Sequence, residues 1–406
     1  MLIIKIFLLQ LSLINGINIT ETTNKIKTIL TKYKNDRYTR CINFDKTDSF
    51  VTKMVQLVQN NDGLGEFLKS FNVSQCFLNG TAEYMKSHIL DGLIIHDDLP
   101  QWHWHEYKVI HDKVYATPHQ ELEALSKWRD NLRIVAQHNR DFLHGKQSYS
   151  LHLNLFGDLD VKEYFNKFLK LFHTFPLFDP AEDHHKTAYR KSLRRSVPET
   201  VDWRSKGFKP RLEEQHDCGA CYAFAVTHAL QAQLYKRHGY WGELSPQEIV
   251  DCSFKDGNAG CDGGSLRGAL RYAARDGLVK ESQYPYVGKK GSCKYNSLSQ
   301  RVRARRWATL PAGDESAMER TLATIGPLAV AVNAAPFTFQ LYSGIYDDLF
   351  CTPWQMNHAM LLVGYTPQYW ILLNWWGKNW GEGGYIRIRR GLNRCGVTNM
   401  ATYVEL

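Results

Sequence analysis

The sequence predicts an α+β fold: a helical segment, then a two-lobed region whose first lobe is helix-rich and whose second is strand-rich. Three observations carry this. Between Gln120 and Asn139, apolar Leu122, Leu125, Trp128, Leu132 and Val135 recur at three- and four-residue steps, the period of an amphipathic helix. Two further helical stretches, Ala220 to His238 and Leu266 to Asp276, each run into a glycine, Gly239 and Gly277. After residue 326 come short apolar runs separated by glycine, which predict strands: Leu328–Val332, Ala359–Val363, Trp370–Leu373 and Tyr385–Arg389. At 406 residues the chain is long enough for two or three domains. With 44 % hydrophobic and 22 % charged residues it is not a disordered chain.

Taken in order, Met1–Gly16 reads as a secretory signal peptide: Lys5, the apolar run Ile6–Ile14, then Asn15-Gly16. That run is too short to span a bilayer, and no later segment has the roughly 18 uninterrupted apolar residues a membrane span needs. Glycosylation sequons at Asn18, Asn72 and Asn79 fit a lumenal route. Residues 17–100 are polar and Lys-rich, carry Cys41 and Cys76, and form an N-terminal extension with no assignable role. Residues 101–176 read as helical. Residues 177–196 form a linker with Asp179-Pro180, His184-His185 and basic Lys186, Arg190, Lys191, Arg194 and Arg195, the kind of exposed segment that processing proteases cut. From 197 to 406, Gly and Cys become frequent.

Lys and Arg number 50 against 41 Asp and Glu, a formal +9 that is a mild excess over this length and gives no case for nucleic acid. The cysteine count says more. Nine is odd, so complete pairing still leaves one thiol, which in a secreted chain is an intermolecular partner or a reactive group. Seven of the nine lie after residue 196.

The strongest chemical signal is Gln215-His-Asp-Cys218-Gly-Ala-Cys221-Tyr-Ala-Phe-Ala. A lone Cys at the start of an apolar helix is ordinarily a core residue. Here it sits in a Cys-Gly-Ala-Cys-Tyr signature, with His358 following 137 residues later and Asn374 153 residues later. With these motifs the region 101–406 resembles the papain-like cysteine proteases, and the resemblance implies a papain-like two-lobe catalytic domain behind an α-helical inhibitory prodomain. The chemistry suits the residue types. A free thiol with a pKa of about 8.5 is mostly protonated at neutral pH. A helix N-terminus and an adjacent imidazolium stabilise its thiolate. Cys221 would attack the scissile carbonyl, and His358 would protonate the leaving amine and later activate water. Asn374 would hold the imidazole tautomer, while Gln215 and the Cys221 N–H would form the oxyanion hole.

Supporting motifs follow. Asn374-Trp-Trp376-Gly-Lys-Asn-Trp-Gly-Glu-Gly-Gly-Tyr385 resembles the family's Asn-Ser-Trp-Gly block, with Trp376 packing over the His–Asn hydrogen bond. Tyr342-Ser-Gly-Ile-Tyr346 and Gly326-Pro327 also match. Tyr222 stands where Trp is usual, Ala220 and Trp375 where Ser is usual. Trp375 is the bulkiest departure and bears on the loop beside Asn374, not on the role of Asn374. The family pattern implies disulfides Cys218–Cys261, Cys252–Cys293 and Cys351–Cys395, leaves Cys221 unpaired, and leaves open whether Cys41 and Cys76 pair. A zinc site from Cys252, Cys261 and Asp262 is the competing reading, but the spacing is not that of zinc modules and no paired His follows. No metal or cofactor is expected.

The resemblance also implies substrate contacts. Gly263 and Gly264, in Cys261-Asp-Gly-Gly, let an extended backbone approach. Leu266, Ala331, Met356, Ala359 and Met400 would line an apolar pocket for the second residue upstream of the scissile bond. No insertion resembles an occluding loop, so an endopeptidase is expected, acting on proteins and peptides. Trp104-x2-Tyr107-Lys108-x2-His111-x-Lys113-x-Tyr115, the helical series Gln120, Ala124, Trp128, Asn131, Val135, Asn139, and Asn154-Leu-Phe156-Gly-Asp158 resemble the family's prodomain. The family's Glu and Arg are absent at Gln120 and Ala124, so a usual bracing ion pair is missing. The mature start resembles Pro198-Glu-Thr-Val-Asp202-Trp203-Arg204.

Twelve of the 16 histidines precede residue 197, so acid would charge the pro-region and assist its release. The whole reads as a zymogen of the secretory pathway, lysosomal, endosomal or extracellular. It is expected to be a monomer, restrained by its own propeptide and open to cystatin-type inhibitors. Tail features Cys351-Thr-Pro-Trp354 and Cys395-Gly-Val-Thr-Asn-Met400-Ala look closest to cathepsin F-like and L-like enzymes, although 17–100 shows no convincing cystatin-like inhibitor signature. The alternatives are a non-catalytic papain-like relative that binds proteins in its cleft, and a secreted disulfide-rich interaction protein. Neither needs Cys221, His358, Asn374 and Gln215 together.

Overall fold

The structure, a computed structural model, describes residues 101–172, 196–239 and 242–406. The expected signal peptide, Asn18, Asn72, Asn79, Cys41, Cys76 and the linker up to residue 195 lie outside the described residues. Two compact units are present. Among the described residues, one takes 101–114 together with Val135–Gln137, and the other takes Tyr115–Ile134 and the described residues from His138 to Leu406. In the first, helix α1 (Gln101–Ile110) stacks Trp104 on Tyr107 with ring centres 5.6 Å apart.

Helix α2 (Pro118–Leu143) starts where Thr117 accepts the Gln120 N–H and Pro118 needs no partner. Its buried stripe is Ala124, Trp128, Leu132, Val135, Ala136 and Asn139. Leu122, expected on that stripe, is 66 % exposed. It lies two residues before Ala124, about 200° round the helix, so the two cannot share a face. The expected helical run to 176 is also broken. Strand β1 (Ser150–Leu151) and a tight turn intervene before helix α3 (Val161–Phe168), which opens on a capping box between Asp160 and Glu163. Asn131 on α2 donates to the carbonyls of Gly157 and Leu159, and the Tyr115 hydroxyl donates to Asp158. Lys127 reaches Glu163 at 2.6 Å. These contacts brace α2, the turn and α3 together.

The rest of the second unit runs β2 (Val201–Asp202), α4 (Cys221–His238), α5 (Pro246–Cys252), α6 (Leu266–Arg275), β3 (Arg306–Thr309), α7 (Glu315–Thr324), β4 (Leu328–Val332), α8 (Phe337–Gln340), β5 (Tyr342–Ser343), β6 (Ile345–Tyr346), β7 (His358–Tyr365), β8 (Tyr369–Leu373), β9 (Tyr385–Arg389) and β10 (Ala401–Glu405). One sheet has the order β3-β10-β4-β7-β8-β9-β6, with β2 also paired to β7. Helix α4 is apolar nearly all round, and Cys221 through Gln233 is buried. It is the central element: it packs on α5 and α6 on the helical side and on β4, β7 and β10 of the sheet. Cys218–Cys261 and Cys252–Cys293 tie the helical part, and Cys351–Cys395 ties the strand-rich part. Among the described residues Cys221 is the free cysteine, and no helix is long and apolar enough to cross a membrane.

Candidate active site

The N-terminus of α4 is built by a tight approach. The Gly219 N–H donates to the Cys261 carbonyl, and a side chain at Gly219 would collide with that oxygen and with Lys170. Cys221 is the first helical residue, fully buried, where the unpaired N–H groups of the first turn gather. Its thiol lies at the Ala359 backbone, one residue past His358. Gln215 is held by its own N–H on the Trp375 carbonyl, and its side-chain Nε2 donates to the Cys218 carbonyl at 2.9 Å.

His358 opens β7 and Asn374 follows β8, adjacent antiparallel strands. His358 Nε2 donates to Asn374 Oδ1 at 2.7 Å. In the neutral ring this leaves Nδ1 unprotonated, the state of a base. The Trp376 ring stacks on the imidazole at 4.6 Å. Gln215 Oε1, Asn374 Nδ2 and Trp376 Nε1 are all buried without a hydrogen-bond partner. Unsatisfied buried polar atoms are uncommon, and these three donors and acceptors are free to bind a further group.

The electrostatics of the pair are dominated by burial. Burial pushes the Cys221 thiol up to about 12, against the opposing pull of the Ala359 and Tyr222 backbones. Burial also pushes His358 down to about 4, with the Asn374 side chain and the Phe168 backbone acting the other way. Burial therefore works against the charged form of both groups in this state. Both side chains are 0 % exposed, and a charged form of either would be poorly solvated.

Residues 150–172 cover this region. Strand β1 pairs with β5, Ser150 opposite Ser343. Gln340 Nε2 donates to the Phe156 carbonyl, and the Tyr164 hydroxyl donates to the Ala334 carbonyl. Phe156, Tyr164 and Phe168 present their rings nearly edge-on to Trp376, at 5.1, 5.6 and 6.3 Å. The chain then passes Gly263 and Gly264: the Gly264 N–H donates to the Lys170 carbonyl, and the Phe172 N–H donates to the Gly264 carbonyl. Gly263, at φ 119°, has no room for a side chain because the Lys170 carbonyl lies where its Cβ would be. Among the residues expected to line a pocket, Ala331 pairs with Ala359 across β4 and β7, and its N–H donates to the Met400 carbonyl. Met356 lies two residues before His358, and Leu266 is the first residue of α6, two past Gly264. All five are buried. Sequence patterning missed the roles of Phe168 and Lys170–Phe172, which follow no period; the nearby Asn154–Asp158 motif was their only flag.

Residues 197–405 match the papain family cysteine protease domain, and 104–164 match the cathepsin propeptide inhibitor domain (I29). Mouse cathepsin K is 35 % identical over 311 residues, covering 75 % of this chain and 92 % of its own length. Cathepsin L of Sarcophaga peregrina is 36 % identical over 315 residues, covering 75 % and 93 %. Among solved structures, digestive procathepsin L 3 of the Tenebrio molitor larval midgut is similar with a TM-score of 0.68 at 34 % identity, over 75 % of this chain and 99 % of that one. The chain belongs to the papain family of cysteine proteases, as a cathepsin-like zymogen that carries its own inhibitory propeptide.

Proposed function

We propose that Cys221 is the nucleophile of an endopeptidase, with His358 as acid and base, Asn374 as its orienter and Gln215 as oxyanion donor. The observation that supports this most is the His358–Asn374 hydrogen bond beneath Trp376, beside a free thiol at the N-terminus of α4. Withdrawal of residues 150–172 readmits water, which lowers the thiol pKa, raises that of the imidazole and permits proton transfer from Sγ to Nδ1. The thiolate adds to the scissile carbonyl, and the oxyanion meets the Cys221 N–H and the Gln215 amide. His358 protonates the departing amine, and water activated by the same ring hydrolyses the acyl-enzyme. Acid conversion of the full chain, labelling with an epoxide inhibitor of cysteine proteases and peptide mapping test this. The label is expected on Cys221; a label elsewhere, or none after confirmed removal of the pro-region, would favour a protein-binding relative.

In this reading residues 1–16 are a signal peptide, 17–100 an extension, 101–176 the prodomain, 177–196 the processing linker and 197–406 the peptidase. The product is a secretory-pathway monomer, lysosomal, endosomal or extracellular, and sensitive to cystatin-type inhibitors. Leu266, Ala331, Met356, Ala359 and Met400 line the pocket for the second upstream residue, and Gly263 and Gly264 hydrogen-bond its backbone. A substrate library should therefore show preference for Leu, Val or Phe at that position. Dominant Arg there would sink the pocket assignment.

Acid should favour release through His138. Its Nε2 donates to the Tyr149 carbonyl at 3.0 Å, and the Tyr149 ring in turn meets Tyr346 at 5.1 Å. Burial lowers the His138 pKa; the Tyr149 carbonyl, Asp348 and Asp141 oppose that shift without reversing it. A lowered pKa means the docked state favours the neutral ring. Its contribution is fully present above about 6.5 and is lost as pH falls through the lower folded value. His138→Gln keeps a donor and cannot charge, so zymogen conversion followed on gels should move to lower pH. An unchanged midpoint would remove His138 from the trigger.

A further inference from the structure

Three side chains behind Asn374 take no part in the chemistry above: buried Trp375 and His228, and Glu213, whose side chain is 10 % exposed. Trp375 contacts Asn374, the strand of His358, Gln215 and the helix that begins with Cys221. Its N–H donates to Asn374 Oδ1 at 2.9 Å, the same oxygen that receives His358. Its indole N–H donates to the carbonyl of Ala359, next to His358, at 2.9 Å. Its carbonyl receives the Gln215 N–H. Its ring stacks on Phe224 at 5.5 Å and lies 4.6 Å from His228, both on the helix that begins with Cys221.

His228 is 1 % exposed, with Nδ1 3.0 Å from the Phe224 carbonyl and Nε2 3.3 Å from a Glu213 carboxyl oxygen. A carbonyl only accepts, so Nδ1 carries a proton. The Nε2 contact then requires one further proton shared between ring and carboxyl.

We propose that Trp375, backed by the proton-sharing pair His228–Glu213, is a positioning residue that holds Asn374, His358 and Gln215 in place against the Cys221 helix. The proposal rests on the catalytic assignment above. Burial is the first cause that sets where the proton resides. It pushes Glu213 up to about 8, helped by Glu281 and Glu243 and opposed by Arg211. It pushes His228 down to about 4, opposed by the Phe224 carbonyl. Tyr286, whose hydroxyl donates to the Gln215 carbonyl, is a further titratable neighbour, and burial raises its own pKa out of the working range. The favoured form is thus a carboxylic acid donating to a neutral imidazole. A raised Glu213 pKa means its contribution is lost as pH rises through about 8, and a lowered His228 pKa means its contribution is lost as pH falls through about 4. Between those limits the neutral acid–imidazole form is the favoured one, although the Glu213 contribution already declines above its ordinary carboxyl value and that of His228 below about 6.5. Above the upper one, a carboxylate faces the imidazole lone pair and pushes on the ring that backs Trp375.

The test uses enzyme converted from the full-length zymogen. Glu213→Gln still donates to Nε2 but has no proton to lose. Its kcat near the optimum should stay within about twofold, and the alkaline limb of its kcat profile should extend upward by about half a pH unit or more. Trp375→Phe deletes the indole N–H, and kcat should fall about tenfold with KM within about twofold. An alkaline limb of Glu213→Gln that overlays wild type, or an unchanged kcat in Trp375→Phe, overturns the proposal. If Trp375→Phe is not recovered folded, the Glu213→Gln profile decides. Failure of the catalytic assignment reads differently: wild type itself would neither label with the epoxide nor cleave peptides.

Discussion

Cys221→Ala should lower peptide hydrolysis by on the order of 10⁴-fold or more, with the uncut chain still folded and its melting temperature close to wild type. The substitution deletes only the sulfur from a fully buried position, so its structural cost is small beside its chemical one. His358→Ala should cost a similar factor, because the thiol, buried and with its pKa pushed up, needs a base to reach the thiolate. The double variant should be scarcely slower than either single one. Groups that act as a unit fail together, and removal of the second member takes away nothing that still worked. Comparison of kcat/KM for the three variants on one peptide substrate checks this. Additive losses would mean that Cys221 and His358 act on separate steps.

Truncating Phe156 to alanine should unmask the site in the uncut chain. Phe156 is 1 % exposed and packs against Trp376, Tyr164 and Phe168. Loss of a buried phenylalanine costs about 3–5 kcal/mol. If most of that falls on the docked state, the open population rises about 10²–10³-fold. The measurement is the initial rate of epoxide labelling of Cys221 in uncut protein at neutral pH, where wild type is masked. A rate equal to wild type would show that Phe156 stabilises only its own turn. Tyr164→Phe is a milder companion, since it removes one hydrogen bond, to the Ala334 carbonyl, and keeps the ring.

Much of this was legible in the sequence because it depends on local rules. Gly239 terminates α4 at φ 76°, where a left-handed conformation suits glycine, and the four strand runs after residue 326 emerge as β4, β7, β8 and β9 with ends shifted by no more than two residues. Cys221, His358, Asn374 and Gln215 announced themselves by company and order rather than by any single neighbour. What stayed hidden is what depends on contacts between distant segments. Leu122 obeys a three-residue step to Leu125 yet faces solvent, because the stripe that packs is set by Ala124 and Trp128. Trp375 read as an intrusion beside Asn374. Its place depends on His228 and Glu213, and nothing in local spacing links residues 213, 228 and 375. The burial of Cys221 and His358, and the direction in which it moves both pKa values, was likewise out of reach, since it depends on distant segments rather than on either residue.

The exchange of hydrogen bonds between Gly264 and residues 170 and 172 has one more consequence. The propeptide segment occupies the backbone donor and acceptor of Gly264 that we propose for an extended substrate, and it is covalently joined to the enzyme through residues 173–196. It therefore competes as a tethered ligand, at an effective concentration in the millimolar range rather than at the concentration of protein in solution. A single cut in that connecting stretch breaks none of the docking contacts described. It changes only the entropy of re-encounter: the freed segment now dilutes into the compartment, and each departure becomes hard to reverse. Activation in this arrangement is a change of concentration before it is a change of structure, and it will be sharper in a large dilute volume than in a crowded vesicle.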